Sequence, residues 1–208
     1  MDIIKKQIAF NRTKRTQAPA YIVIHDTGNK GAGADAMSHF NYFNGRDRQS
    51  SADFLVDDKS VIQVNDYNKY YTWHCGDGGG KYGITNKNSL GIEICVNSDG
   101  DYDMAVKNAI ELVKMLMREL NIPIERVIRH YDASKKNCPA SMSENSWLKW
   151  WRFKNSLNNE LSSINDIVCE LTYRGIITDK ALWLDKLEKD KNAYWLAKKV
   201  CNYIRKEV

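Results

Sequence analysis

The apolar pattern is sharpest at Tyr21-Ile22-Val23-Ile24, which stops at His25 and passes into the turn residues Asp26-Thr27-Gly28-Asn29. Four apolar residues, three of them β-branched, are too few for a globular helix and predict a short buried strand. A histidine on the last residue of such a strand sits where the backbone leaves the core, a usual place for a site. The pattern recurs at Val127-Ile128-Arg129-His130. His25 and His130 are therefore expected to end two strands of one sheet and to share a metal.

Around these runs the periodicities alternate. Residues 1–20 are largely polar and basic and read as an arm leading into the first core strand. Ala36, Met37, Phe40 and Phe43 recur at helical spacing until Gly45 stops them. Phe54-Leu55-Val56 and Val61-Ile62-Gln63-Val64 flank a polar turn and predict a hairpin. Residues 65–88 read as one long loop, and the aromatics of Tyr70-Tyr71-Thr72-Trp73-His74 favour a functional one. Leu90 to Val96 is a strand with Ile92, Ile94 and Val96 on one face and Gly91, Glu93 and Cys95 on the other.

Asp101 or Asp103 is positioned to cap a helix whose stripe runs from Ala105 to Leu120, ended by Asn121 and Pro123. That stripe reads as core packing. Trp147, Trp150 and Trp151 lie on a further helical segment from about Ser143 to Asn159. After about residue 160 the texture changes. Ile164, Ile167, Val168 and Leu171 repeat helically to Gly175, and two more amphipathic segments follow a turn at Ile176 to Asp179. A helical module of roughly 50 residues is marginal by itself and is expected to pack on a neighbour or a partner chain.

Composition narrows the class. A chain of 208 residues with 43% hydrophobic and 27% charged positions folds as a soluble globular protein, not a disordered one. The net charge of +5 suits an anionic partner such as nucleic acid, a membrane surface or a bacterial wall, yet is mild enough to mean only solubility. Five scattered cysteines without a CxxC pair form no disulfide framework and suit a reducing compartment. No apolar stretch approaches a membrane span, and the start, Met1-Asp2-Ile3-Ile4-Lys5-Lys6, carries no secretory signal.

Cys138 follows His130 by eight residues, a loop short enough to return a thiolate to the histidine. Two imidazoles and a thiolate form a three-ligand site that fits zinc with a fourth position open, the catalytic type. Hydrolysis there needs a proton acceptor, and Glu93 is the best candidate. A carboxylate amid apolar strand residues is costly unless it faces a cleft or lies on the wet face of an edge strand. The sequence leaves both placements open. Lys136, two residues before Cys138, is positioned to donate to an oxyanion.

Asn11-Arg12-Thr13, the YIVIHDTGN stretch, the GIEIC strand and VIRHYDASKKNCP together resemble zinc-dependent N-acetylmuramoyl-L-alanine amidases, the group of phage endolysins and bacterial autolysins related to peptidoglycan recognition proteins. The resemblance covers about residues 8 to 155. It implies an α/β fold, a mixed central sheet flanked by helices, with a catalytic domain over 1–159 and a small all-helical module over 160–208. It implies zinc held by His25, His130 and Cys138, with Glu93 and Lys136 catalytic. His74 and Trp73 resemble a family element lining the substrate groove. The implied reaction is hydrolysis of the amide between N-acetylmuramic acid and L-alanine in the peptidoglycan of a Gram-positive host.

One departure stands out. Ser51-Ala52-Asp53-Phe54 lacks the tyrosine that some members use in catalysis, and Asp53 has no assigned role. The alternative reading is a non-catalytic peptidoglycan-binding protein of the same fold, against which the retained Cys138 speaks. The C-terminal module resembles segments that attach endolysins to the wall or self-associate. Its nine Lys and Arg against eight Asp and Glu are too balanced for purely electrostatic binding. Nucleic acid is not an expected partner. Without a signal peptide, the protein is expected to be made in a host cytoplasm and to reach the wall after release through a membrane pore.

Overall fold

The computed structural model describes residues 2–76, 81–158 and 163–206, which divide into two units, 1–141 and 142–208. In the first unit Ile22, Val23 and Ile24 are fully buried because their strand, β3 (Tyr21–Asp26), has a parallel neighbour on each side. A strand covered in this way needs apolar side chains on both faces, so its sequence shows a run instead of an alternation. Its neighbours are β7 (Ser89–Ile94) and β8 (Val127–Arg129).

Besides β3, five strands precede β7 in the chain order: β1 (Ile3–Lys5), β2 (Arg12–Lys14), β4 (Phe54–Val56), β5 (Val61–Gln63) and β6 (Tyr70–Thr72). The main sheet has six strands in the order β1-β5-β4-β7-β3-β8. All neighbours are parallel except β4 and β5, the expected hairpin. Its turn is held by Asp57, whose Oδ1 accepts from the backbone N–H of Lys59 and Ser60. The mixed sheet is flanked by helices, as the fold class required. α1 (Ala36–Gly45) packs Ala36, Phe40 and Phe43 with Leu55, Ile62 and Cys95. α2 (Tyr102–Leu120) lies against β4, β5 and β7. Asp35 and Asp101 cap these helices by accepting from Ser38 N and Met104 N, and Asn121 ends α2 in the left-handed region.

Three readings of the sequence change. The polar arm is not a mere lead: Ile3–Lys5 pairs with β5, and Ile8 is fully buried. The segment 65–88 is not one loop. Its β6 (Tyr70–Thr72) pairs antiparallel with β2, and Asn86–Asn88 forms a 3₁₀ turn; Gly78, Gly79 and Gly80 lie outside the described residues. Three-residue strands recognise one another by backbone hydrogen bonds, which leave almost no side-chain pattern. Finally, β8 ends at Arg129, and His130 opens the short helix α3 (His130–Ser134).

The second unit is helical: α4 (Glu144–Ser156), α5 (Ile164–Tyr173), α6 (Lys180–Lys189) and α7 (Lys191–Lys206). Ser163 and Asp179 cap α5 and α6. Ile167, Val168, Leu171, Ile177, Leu187, Ala197 and Cys201 form its core. The tryptophan-bearing α4 belongs to this unit, its Arg152 lying over the Tyr173 ring and 3.6 Å from the buried Glu170. The boundary expected at residues 159 and 160 lies outside the described residues. Among the described residues no helix is long and apolar enough to cross a membrane, and none of the five cysteines is in a disulfide.

Candidate metal centre

Ile24 and Arg129 are register partners in the β3–β8 pair, so one residue further on His25 and His130 leave the sheet side by side. Their Nδ1 atoms are 3.0 Å apart. Lys135 closes α3 in the left-handed conformation, and the Tyr131 N–H donates to the Cys138 carbonyl, turning the loop back on itself. That return places Cys138 Sγ 3.8 Å from His25 Nδ1. The three donor atoms lie within 4.8 Å of one another, and His25, His130 and Cys138 are all buried.

Burial is the first cause of the electrostatics here. It holds His25 well below its ordinary pKa, with His74, His130 and Lys136 adding to the effect. It takes His130 down to about 4, assisted by Lys136, and His74 down to about 3, assisted by His130. These rings are neutral at pH 7 and offer lone pairs. Burial, then the Glu93 carboxylate, pushes the Cys138 thiol up to about 12, partly offset by the Asp26 backbone N–H on the sulfur. A divalent cation reverses that balance by deprotonating a coordinating thiol. Two imidazole nitrogens and a sulfur, converging in a buried site, fit a borderline-soft metal ion.

Glu93 is placed by β7, which is interior to the sheet, so the edge-strand placement is overturned. It is the register partner of His25. Its Oε2 is buried without a hydrogen-bond partner. Burial, with Asp26 adding and Lys136 opposing, raises the carboxyl to about 8. Lys136 is exposed and borders the same cleft, a hollow of about 570 Å³ that also takes in Trp73, His39 and Tyr42.

The two residues expected to line a substrate groove differ in availability. Trp73 is half-buried, its indole N–H donating to Thr13 Oγ1 at 3.0 Å. His74 is buried, with Nδ1 3.0 Å from His25 Nε2 and Nε2 3.1 Å from Ser89 Oγ. Both of its ring nitrogens are thus taken up inside the protein. Asp53 also finds a place: fully buried, it accepts from Asn65 Nδ2, Thr72 Oγ1 and the Gly91 N–H, tying β6 to β7 beneath the site. Sequence reasoning missed His39 and Thr27, which line the cleft with His39 Nε2 and Thr27 Oγ1 buried and unpartnered. A lone histidine on a helix carries no signal of that.

Comparison with known proteins identifies the family. Residues 15–141 match the family described as N-acetylmuramoyl-L-alanine amidase. The N-acetylmuramoyl-L-alanine amidase CwlH of Bacillus subtilis (strain 168) is 39% identical over 149 residues, 72% of this chain and 57% of that protein. The amidase XlyA of the same organism is 40% identical over 146 residues, 70% of this chain and 46% of that protein. The chain thus spans about half the length of the curated relatives it matches. The solved catalytic domain of XlyA superposes with a TM-score of 0.68 at 38% identity, covering 76% of this chain and all of that domain. The PlyG catalytic domain gives 0.63 at 35% identity, covering 78% and 99%.

Proposed function

The chain belongs to the N-acetylmuramoyl-L-alanine amidase family, and from that premise we propose that it hydrolyses the amide joining the lactyl group of N-acetylmuramic acid to L-alanine in peptidoglycan. The observation that carries the reading is the convergence of three buried donors, His25, His130 and Cys138, beside a buried carboxylate oxygen that has no partner.

In this reading His25, His130 and Cys138 hold zinc. Bound there, zinc supplies Lewis acidity toward water and toward a carbonyl oxygen. Glu93 takes a proton from the attacking water, and its elevated pKa sits near the operating pH, where a general base works best. The Lys136 ammonium donates to the oxyanion that forms as the carbon–oxygen bond is made. Collapse breaks the carbon–nitrogen bond, and Glu93 returns its proton to the leaving L-alanine amine. Trp73, at the cleft wall, is positioned to face glycan or peptide.

The substrate wall is that of a Gram-positive bacterium, reached after release from the cell that makes the protein. The helical unit serves wall attachment or self-association. A defined muropeptide separates hydrolysis from mere binding: mass spectrometry should find a free stem peptide beginning with L-alanine. Retention of intact muropeptide with no cleavage would instead support a binding protein.

A further inference from the structure

We propose that the segment His74–Cys75, clamped by Asn86 and Ser89, is a positioning element that fixes which nitrogen of each candidate ligand histidine is free for metal. The proposal deepens the metal-site reading and rests on it for its purpose, while the proton positions follow from hydrogen bonds alone.

Two carbonyl groups settle the proton positions, because a carbonyl only accepts. The Thr85 carbonyl lies 2.5 Å from Ser89 Oγ, and the single hydroxyl proton goes there. Toward His74 Nε2, at 3.1 Å, the Ser89 oxygen then acts as acceptor, so Nε2 carries the ring proton. A neutral imidazole has one N–H, which leaves His74 Nδ1 bare to accept from His25 Nε2 at 3.0 Å. The proton of His25 is thereby held on Nε2, and its Nδ1 lone pair faces His130 and Cys138. His130 is fixed more simply: its Nε2 lies 3.1 Å from the Cys75 carbonyl, so Nε2 donates and Nδ1 is bare. The two bare Nδ1 atoms of His25 and His130 thus face each other at 3.0 Å, an arrangement that a cation between them relieves.

The clamp is built for this one segment. Asn86 Oδ1 collects three donors, the His74 N–H at 3.0 Å, the Cys75 N–H at 2.9 Å and the Cys75 thiol at 3.2 Å. The His74 ring sits over Gly91, where a Cβ would come within 2.5 Å of Cγ. Two consecutive residues thus serve both histidines, one through its ring and one through its carbonyl. Such outer partners orient ligand histidines and raise their basicity.

Two measurements on the full chain test this. The first is long-range ¹⁵N–¹H correlation on histidine-labelled protein, with zinc and after chelation. His74 is expected as the Nε2–H tautomer in both; protonation at Nδ1 overturns the relay. The second is zinc affinity by competition with a chromophoric chelator. His74→Ala is expected to weaken zinc by about 10- to 100-fold. His74→Asn, whose amide oxygen takes the place of Nδ1, should recover most of that loss, which a merely space-filling role would not explain. Wild-type affinity in a folded His74→Ala, or no recovery in His74→Asn, overturns the proposal. If His74→Ala does not fold, the wild-type tautomer decides. Absence of zinc binding by the wild type would instead sink the metal-site reading, and the His74 tautomer would still report on the relay.

Discussion

His25 and Glu93 are register partners on the parallel strands β3 and β7. Residues paired in this way leave the same face of the sheet about 4.8 Å apart. A candidate metal ligand and a candidate base are thereby set side by side by backbone pairing, on the rigid interior of the sheet. The same pairing puts Glu93 on an interior strand, half-buried with its Oε2 out of solvent, and that desolvation holds its carboxyl high.

Glu93→Gln keeps the side chain's shape and removes the proton acceptor. Activity is expected to fall by about 100-fold or more, with zinc content by elemental analysis unchanged. A fully active Glu93→Gln would end its assignment as base.

Cys138→Ser replaces the sulfur with a neutral, harder hydroxyl in a buried site. The expected loss of zinc affinity exceeds the ~100-fold that losing an outer partner can cost, and activity should disappear with the metal. Equilibrium dialysis against zinc measures the first and turnover the second. Zinc retained at wild-type affinity would remove Cys138 from the ligand set.

Gly91→Ala puts a methyl group into the His74 ring, 2.5 Å from Cγ and 2.8 Å from Nδ1. Overpacking of this kind costs about 1–3 kcal/mol, read as a lower urea midpoint. Because the displaced ring is the partner of His25, zinc affinity should fall as well. An unchanged midpoint would mean that the ring moves aside freely.

Asp53 gives a pH-dependent prediction. Burial raises its pKa, with the Gly91, Asn65 and Thr72 donors pulling it back. The folded pKa lies above the unfolded one, so the protein binds this proton more tightly when folded. The associated stability is fully present below the unfolded pKa and is lost as pH rises through the folded pKa. Asp53→Asn cannot titrate, so its stability deficit against wild type should be larger at about pH 4 than at about pH 7. Urea unfolding at both pH values checks this; a deficit independent of pH would show that the carboxyl is not shifted.

The main architecture was legible wherever side chains report their own burial. The run Ile22-Val23-Ile24, the hairpin around Asp57 and the caps Asp101 and Asp179 each mark an element by local chemistry. The pairings of β1 with β5 and of β2 with β6 were not legible, because β1 and β2 lie in a largely polar segment and are held by backbone groups that every sequence carries. The site divides in the same way. His25, His130 and Cys138 announce themselves by residue type and spacing, and the structure brings their donor atoms together. Ser89 and Asn86 do not, since a serine and an asparagine near a turn are ordinary until the fold sets them against His74 and Cys75. Asp53 looked like a departure at a catalytic position and proves to be a structural acceptor for three donors.

Amide hydrolysis itself is tested most directly on purified peptidoglycan, by counting new L-alanine amino termini against new reducing sugar ends. The expected result is a rise in L-alanine termini with no rise in reducing ends, abolished by a chelator and restored by zinc. Reducing ends without amino termini, or amino termini that a chelator leaves untouched, would contradict the account.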